Sequence, residues 1–323
     1  MPIVSPSSYR APLPFRNGHL QTVYSSQFRR VTGVAYRRQR IATPDDDFLD
    51  VDMSFVGAGR IAIVTHGLGG NSGRQYVLGM ARELNRNGWD ALAWNFRGCS
   101  GESNRQLRTY HSGDTADLHT VVSFALEQGP WDAVSLIGFS LGGNITLKYL
   151  GEKTSEAAAL IRAAVAFSVP CDLASSASAM ASPVNTIYMK RFIRLLHENI
   201  EQKMVLFPGR IDDRGYRSIR NFKQFDDRYT APLNGFESAQ DYWQKASSKP
   251  FLRGIAVPTL LVNALDDPFL GPPCYPFEEA RENPSLYLET PAHGGHVGFV
   301  SFNAAGTYWS EFRTLEFLNS AFA

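Results

Sequence analysis

Short, mostly apolar runs recur along this chain, and between them lie stretches whose apolar positions fall every three or four residues. Ile61 to Thr65, Ala91 to Phe96, Ala133 to Ile137, Ala163 to Ser168, Val257 to Asn263 and Leu286 to Glu289 are of the first kind. Each has the length of one strand, with the continuous apolar character of a strand buried on both faces. Of the second kind is the segment with Tyr76, Met80 and Leu84 at four-residue spacing, stopped by Asn87-Gly88. Residues 113 to 128, the stretch with Leu141, Ile145 and Tyr149, and the closing segment from about Asn303 to Asn319 also read as helices. Strands alternating with helices in this way predict an α/β fold, a mainly parallel central sheet with helices on both faces. Ahead of them, two strand-like runs within residues 34 to 56 flank Thr43-Pro44-Asp45-Asp46-Asp47 and predict a hairpin at a sheet edge. The three aspartates read as a solvated turn, since no second cluster of oxygen ligands accompanies them.

The alternation is missing in two places. Residues 1 to 30, rich in proline, serine and aromatics, are expected as an extended lead-in wrapping the core. From about Cys171 to Pro250 the chain shows helical stretches, Tyr188 to Glu201 the clearest, with polar loops and no strand. Residues 171 to 250 are therefore expected to be a helical cap insertion over the carboxyl ends of the strands, within one domain spanning residues 1 to 323. Composition narrows the function classes. With 44% hydrophobic and 20% charged residues there is ample core, and a formal charge of +1 gives no electrostatic reason for a nucleic-acid or anionic-membrane partner. Cys99, Cys171 and Cys274 are far apart and odd in number, which suggests neither a disulfide framework nor metal-ligand spacing and fits a reducing compartment. The first residues lack a charged lead and apolar core of a secretory signal, and no apolar run approaches the ~18 residues of a membrane span. The expectation is a cytoplasmic, monomeric protein with no integral membrane segment, cofactor or metal.

The chemistry is concentrated around Gly138-Phe139-Ser140-Leu141-Gly142, a G-x-S-x-G string with a strand before it and a helix after it. The pentapeptide alone is a weak signal; in that context it reads as the nucleophile elbow of an α/β-hydrolase, with Ser140 as nucleophile. The glycines are needed because a strained turn brings strand and helix too close for side chains. In such folds the acid follows a late strand and the base follows the last one. The run Val257 to Asn263 ends in Asp266-Asp267-Pro268-Phe269, where Asp267 is favoured and Asp266 held in reserve. The last strand leads to His293-Gly294-Gly295-His296, where His296 is the expected base and His293 a weaker candidate. For the oxyanion, the backbone N–H groups of Leu141, at the start of its helix, and Leu68, in His66-Gly67-Leu68-Gly69-Gly70, are the expected donors. His66, at a strand end before glycine, reads as structural, fixing that loop.

Several unusual strings, in order over nearly the whole chain, resemble the YheT-like branch of the α/β-hydrolases, relatives of the eukaryotic ABHD proteins. They include Gly18-His19-Leu20-Gln21-Thr22, His66 to Gly70, Asn95 to Glu102, Tyr110 to Gly113, Gly138 to Asn144, Asp226 to Pro232, Asp266 to Phe269 and Gly294 to Phe299. The resemblance implies a hydrolase of carboxylic esters with the triad Ser140, Asp267 and His296. Gly18 stands where relatives often have proline, and the membrane anchor of some eukaryotic relatives does not transfer. Nor does the His-x4-Asp motif invoked for acyltransferase relatives, since Ala116 stands five residues after His111. The expected function is therefore a serine esterase acting on a small-molecule ester with a short- to medium-chain acyl group. Acyl transfer to an alcohol and a non-catalytic binding module are the alternatives. Dehalogenase and epoxide-hydrolase chemistry would place aspartate where Ser140 stands. The residue pattern assigns no role to the run from His19 to Thr22, and it places His111 either at the site entrance or beneath it.

Overall fold

The computed structural model describes residues 2–322. Its strands are β1 (Ile3–Val4), β2 (Arg37–Ala42), β3 (Phe48–Ser54), β4 (Arg60–Thr65), β5 (Asp90–Trp94), β6 (Ala133–Phe139), β7 (Ala163–Phe167), β8 (Thr259–Val262) and β9 (Leu286–Glu289). They form one nine-stranded sheet in the order β1-β9-β8-β7-β6-β4-β5-β3-β2. Only β2–β3 and β3–β5 pair antiparallel; the expected hairpin thus closes one edge of an otherwise parallel sheet.

The helices are α1 (Gly18–Gln27), α2 (Gln75–Arg86), α3 (Thr115–Glu127), α4 (Leu141–Glu152), α5 (Thr154–Leu160), α6 (Leu173–Met180), α7 (Thr186–Leu206), α8 (Phe222–Phe225), α9 (Ala231–Leu233), α10 (Ala239–Ala246), α11 (Phe277–Glu282) and α12 (Trp309–Ala321). Side chains of a strand alternate between faces, so the continuous apolar runs serve two cores at once. Ile61 and Ile63 of β4 and Leu136 of β6 join α3 and α4 on one face. Ala62, Val64 and Ile137 join Met80 and Leu84 of α2 and Leu318 of α12 on the other. Between β7 and β8 the described residues contain helices and no strand; these helices build small apolar clusters of their own, one around Met189, Ile193 and Tyr216 and another around Tyr242 and Trp243. No described helix is long and apolar enough to cross a membrane.

Three segments differ from their sequence-based expectation. The lead-in is not simply extended: Ile3–Val4 adds a strand beside β9, and Gly18–Gln27 is a helix capped by the Asn17 side chain, which accepts the Leu20 N–H at 3.0 Å. Its buried face carries Gln21 and Thr22, so no apolar period betrays it. The Thr43–Asp47 turn is solvated only in part: Asp46 is exposed, whereas Asp47 is buried. Arg97, fully buried, reaches Asp45, Asp47 and Asp117 at 2.7–3.0 Å, and Asp47 also accepts the N–H groups of Phe48, Arg105 and Gln106. The closing helix begins at Trp309 rather than near Asn303, because the Asn303 side chain bonds Thr307 in a turn and Tyr308 with Glu311 caps the helix.

Candidate active site

The elbow is built by close approach. Ser140 lies between the last residue of β6 and the first of α4 with φ 55° and ψ −120°, a left-handed conformation strained for any residue with a side chain. A Cβ on Gly138 would stand 2.6 Å from the Gly142 carbonyl oxygen, and one on Gly142 would stand 2.4 Å from the His66 oxygen. Both contacts are impossible for real atoms, so these two glycines let β4, β6 and α4 converge beneath the serine. The Ser140 N–H donates to the Phe167 oxygen at 2.8 Å, pinning the turn to β7.

His296 Nε2 stands 2.8 Å from Ser140 Oγ. On the other side of the ring, Nδ1 is 2.9 and 3.1 Å from the two carboxylate oxygens of Asp267, whose side chain is wholly buried. A carboxylate only accepts, so Nδ1 carries the proton and Nε2 is left to accept from the serine hydroxyl. Phe269 packs against the imidazole with ring centroids 4.3 Å apart and donates its backbone N–H to Asp267 at 2.9 Å. The neighbouring Asp266 points elsewhere. It accepts the Gly295 N–H at 2.9 Å and lies 3.2 Å from His293 Nδ1, tying down the loop that carries His296.

Two further contacts hold that loop. Thr22 Oγ1 accepts the His296 N–H at 2.9 Å, and Ser168 Oγ, at the end of β7, accepts the Val297 N–H at 2.9 Å. Helix α1 fits against both loops so tightly that a Cβ on Gly18 would meet the Asp266 oxygen at 1.9 Å. Gln21, fully buried, accepts from Tyr9 and from the Val300 N–H while donating to the Phe15 oxygen. His19 stacks on Tyr188 of α7, which packs edge-on against Phe269. The run from Gly18 to Thr22 is thus a brace for the loops that carry Asp267 and His296; periodicity gives no sign of this, since its contacts are polar or made through missing side chains.

Around Leu68 the donors are sorted by two phenols. The Gly67 N–H donates to Tyr76 Oη at 2.9 Å and the Gly69 N–H to Tyr110 Oη at 3.1 Å. Among the described residues neither the Leu68 N–H nor the Leu141 N–H has a protein acceptor, and both residues line the cavity that opens on Ser140. His66 is structural in its contacts. Its Nε2 accepts the Phe96 N–H at 3.2 Å while Nδ1 is 2.8 Å from the Gly67 oxygen, and burial lowers its pKa to about 4, keeping it neutral. His111 is itself part of the cavity wall, edge-on to Phe236 and Tyr242, and burial lowers its pKa to about 3.

The cavity has a volume of about 700 Å³ and a largely apolar wall, much of it from α6, α7, α8 and α10. Cys99, Cys171 and Cys274 are free thiols. Among the described residues one cluster, His197, Glu201 and Asp213, has the side-chain types of a metal site; none of the three lines the cavity, and His197 is stacked on Tyr216.

A family model described as the alpha/beta hydrolase fold matches residues 63–302. YheT of Escherichia coli (strain K12) is 34% identical over 292 residues, 88% of this chain and 85% of that one. Phospholipase ABHD3 of Homo sapiens is 29% identical, covering 83% of this chain and 67% of its own. A monoacylglycerol lipase of Saccharomyces cerevisiae is 31% identical over 85% of this chain and 62% of its own length. Among solved structures, the esterase Pf2001 of Pyrococcus furiosus superposes with a TM-score of 0.62 at 18% identity, covering 91% of this chain and 97% of that one, a likeness of fold.

Proposed function

The chain belongs to the α/β-hydrolase family, in its YheT-like branch, and is a carboxylic ester hydrolase; from that premise we propose that it cleaves short- to medium-chain acyl esters through an acyl-enzyme on Ser140. The observation that carries the reading is the continuous relay Asp267–His296–Ser140, with 2.9 and 2.8 Å between its polar atoms. Ser140 Oγ attacks the ester carbonyl carbon as its proton passes to His296 Nε2. The charge that develops on the carbonyl oxygen is met by the N–H groups of Leu68 and Leu141, whose freedom from protein acceptors supports that role. Collapse of the tetrahedral adduct expels the alcohol, which takes the proton from Nε2. Water, deprotonated by the same nitrogen, then attacks the acyl carbon, and the acid leaves as Ser140 recovers its proton. Asp267 holds the tautomer and stabilises the imidazolium.

The helices between β7 and β8 act in this reading as a cap. Their contribution to a cavity of about 700 Å³ supports an acyl chain lying against them, within the size range of small-molecule sites. The test is hydrolysis of a p-nitrophenyl ester series by the protein and its Ser140→Ala variant. Activity is expected to fall to background in the variant, and the acyl-length optimum of the wild type to lie at medium chains; undiminished turnover by Ser140→Ala would overturn the mechanism.

A further inference from the structure

The cavity that opens on Ser140 is not uniform along its length. Toward α6, α8 and α10 its wall is mostly apolar, with Leu173, Ala177, Met180, Phe225 and Trp243 beside Ser176 and the bonded carboxyl of Asp226, and it carries no cationic side chain. Four arginines also line it, Arg29, Arg74, Arg191 and Arg194. Arg29 is neutralised by a buried ion pair with Glu311. Among the described residues the other three make no ion pair. The cavity wall contains a single carboxyl group, Asp226, which is occupied by the Thr230 hydroxyl at 2.6 Å and the Trp243 indole N–H at 2.8 Å rather than by an arginine.

The three unpaired guanidiniums line one cavity. Arg191 and Arg194 lie one turn apart on α7, exposed at the mouth. Arg74, at the start of α2, donates to the Gly69 oxygen at 2.6 Å, one residue beyond Leu68. Burial, then Arg74 and Arg194, push Arg191 below its ordinary value, as expected of like charges within one another's field. Three guanidiniums without a protein anion to satisfy them thus line the same cavity as Ser140, and guanidinium geometry favours bidentate binding of phosphate or carboxylate.

We propose that Arg74, Arg191 and Arg194 form an anion subsite at the cavity mouth, and that the ester preferred by this protein carries a phosphate group on its alcohol half. The inference rests on the Ser140 reading above. The acyl chain lies in the apolar end, the scissile carbonyl sits over Ser140, and the alcohol half points to the arginines. Departure of a charged alcohol past the exposed Arg191 and Arg194 then needs no burial of its charge.

The test compares two esters of one acyl chain, octanoyl-glycerol and octanoyl-glycerol 3-phosphate, each kept below the concentration at which it aggregates so that no lipid surface contributes. The wild-type protein is expected to favour the phosphate ester by about tenfold or more in kcat/KM, equivalent to roughly 1.4 kcal/mol. That ratio is expected to fall toward one in the Arg191→Gln/Arg194→Gln variant, and to shrink in the wild type as salt is raised. Arg74 is left in place because it also holds Gly69. Inorganic phosphate, added as a competitor, is expected to raise KM for the phosphate ester in the wild type and much less in the double variant. A wild-type ratio near one, or a ratio that survives the double substitution, overturns the subsite. Should the neutral ester still be cleaved by wild type and not by Ser140→Ala, the subsite alone has failed. Turnover of both esters by Ser140→Ala would instead remove the reading on which it rests.

Discussion

The Thr22 hydroxyl accepts the backbone N–H of His296 at 2.9 Å and donates its own proton to the Gly18 oxygen at 2.7 Å. One side chain near the start of the chain therefore sets the height of the imidazole over Ser140, 274 residues away in sequence. Misplacement of a catalytic group by a fraction of an ångström is costly because proton transfer requires contact distance in the transition state. Thr22→Val, which keeps the shape and removes the acceptor, is expected to lower kcat about tenfold with KM little changed. Thr22→Ser is expected to restore most of the loss. Steady-state kinetics on one p-nitrophenyl ester, with melting curves alongside, checks both; equal losses in Val and Ser variants would assign Thr22 to packing alone.

Asp266 and Asp267 are adjacent yet make different contacts, one holding the Gly295 N–H and the other the His296 ring. Asp267→Asn presents a donor to Nδ1 and forces the wrong tautomer, so kcat is expected to fall on the order of 10³–10⁴-fold. Asp266→Asn keeps an acceptor for Gly295, and its loss is expected to stay within about tenfold. The reverse ranking would exchange the two roles.

Arg97 is buried against Asp45, Asp47 and Asp117, tying the β2–β3 turn to α3. Removing one partner of a buried ionic network leaves its counter-charges unpaired, which costs more than the network itself contributes. Arg97→Met is expected to destabilise the fold by about 3–5 kcal/mol. Urea unfolding followed by fluorescence measures it, and a loss below about 1 kcal/mol would show that the network relaxes or hydrates.

Burial raises the Asp226 carboxyl to about 6 from its ordinary 3.8, while Thr230 and Trp243 partly oppose the shift. The folded state therefore binds a proton that the unfolded chain has already released, and this favours folding at low pH. That contribution is lost as pH rises from about 4 through about 6, on the order of 3 kcal/mol for a shift of this size. Asp226→Asn has no such proton to lose, and its stability is expected to vary less than the wild type's between pH 4 and 7. Parallel pH profiles of denaturant midpoints would contradict the assignment.

Much of the fold was legible because buried parallel strands and amphipathic helices write their burial into local periodicity. Runs such as Ala133 to Ile137 and spacings such as Tyr76, Met80 and Leu84 need no distant residue to be recognised. The glycines around Ser140 are legible for a related reason, since a strained turn tolerates few residue types. Helix α1 is not legible because its buried face is Gln21 and Thr22, and the burial of Asp47 in a partly exposed turn is not legible because its counter-charge, Arg97, lies far along the chain.

By itself the sequence determined the alternation of elements, the elbow and the candidates for its partners. Tertiary structure decided which aspartate faces His296, that the phenols of Tyr76 and Tyr110 occupy the N–H groups on either side of Leu68, and that three arginines line the cavity without a carboxylate partner. Those choices rest on single directional contacts between residues far apart in the chain. A hydrogen bond formed by a threonine, tyrosine or arginine has no period, and the same side chain would suit a solvated surface equally well.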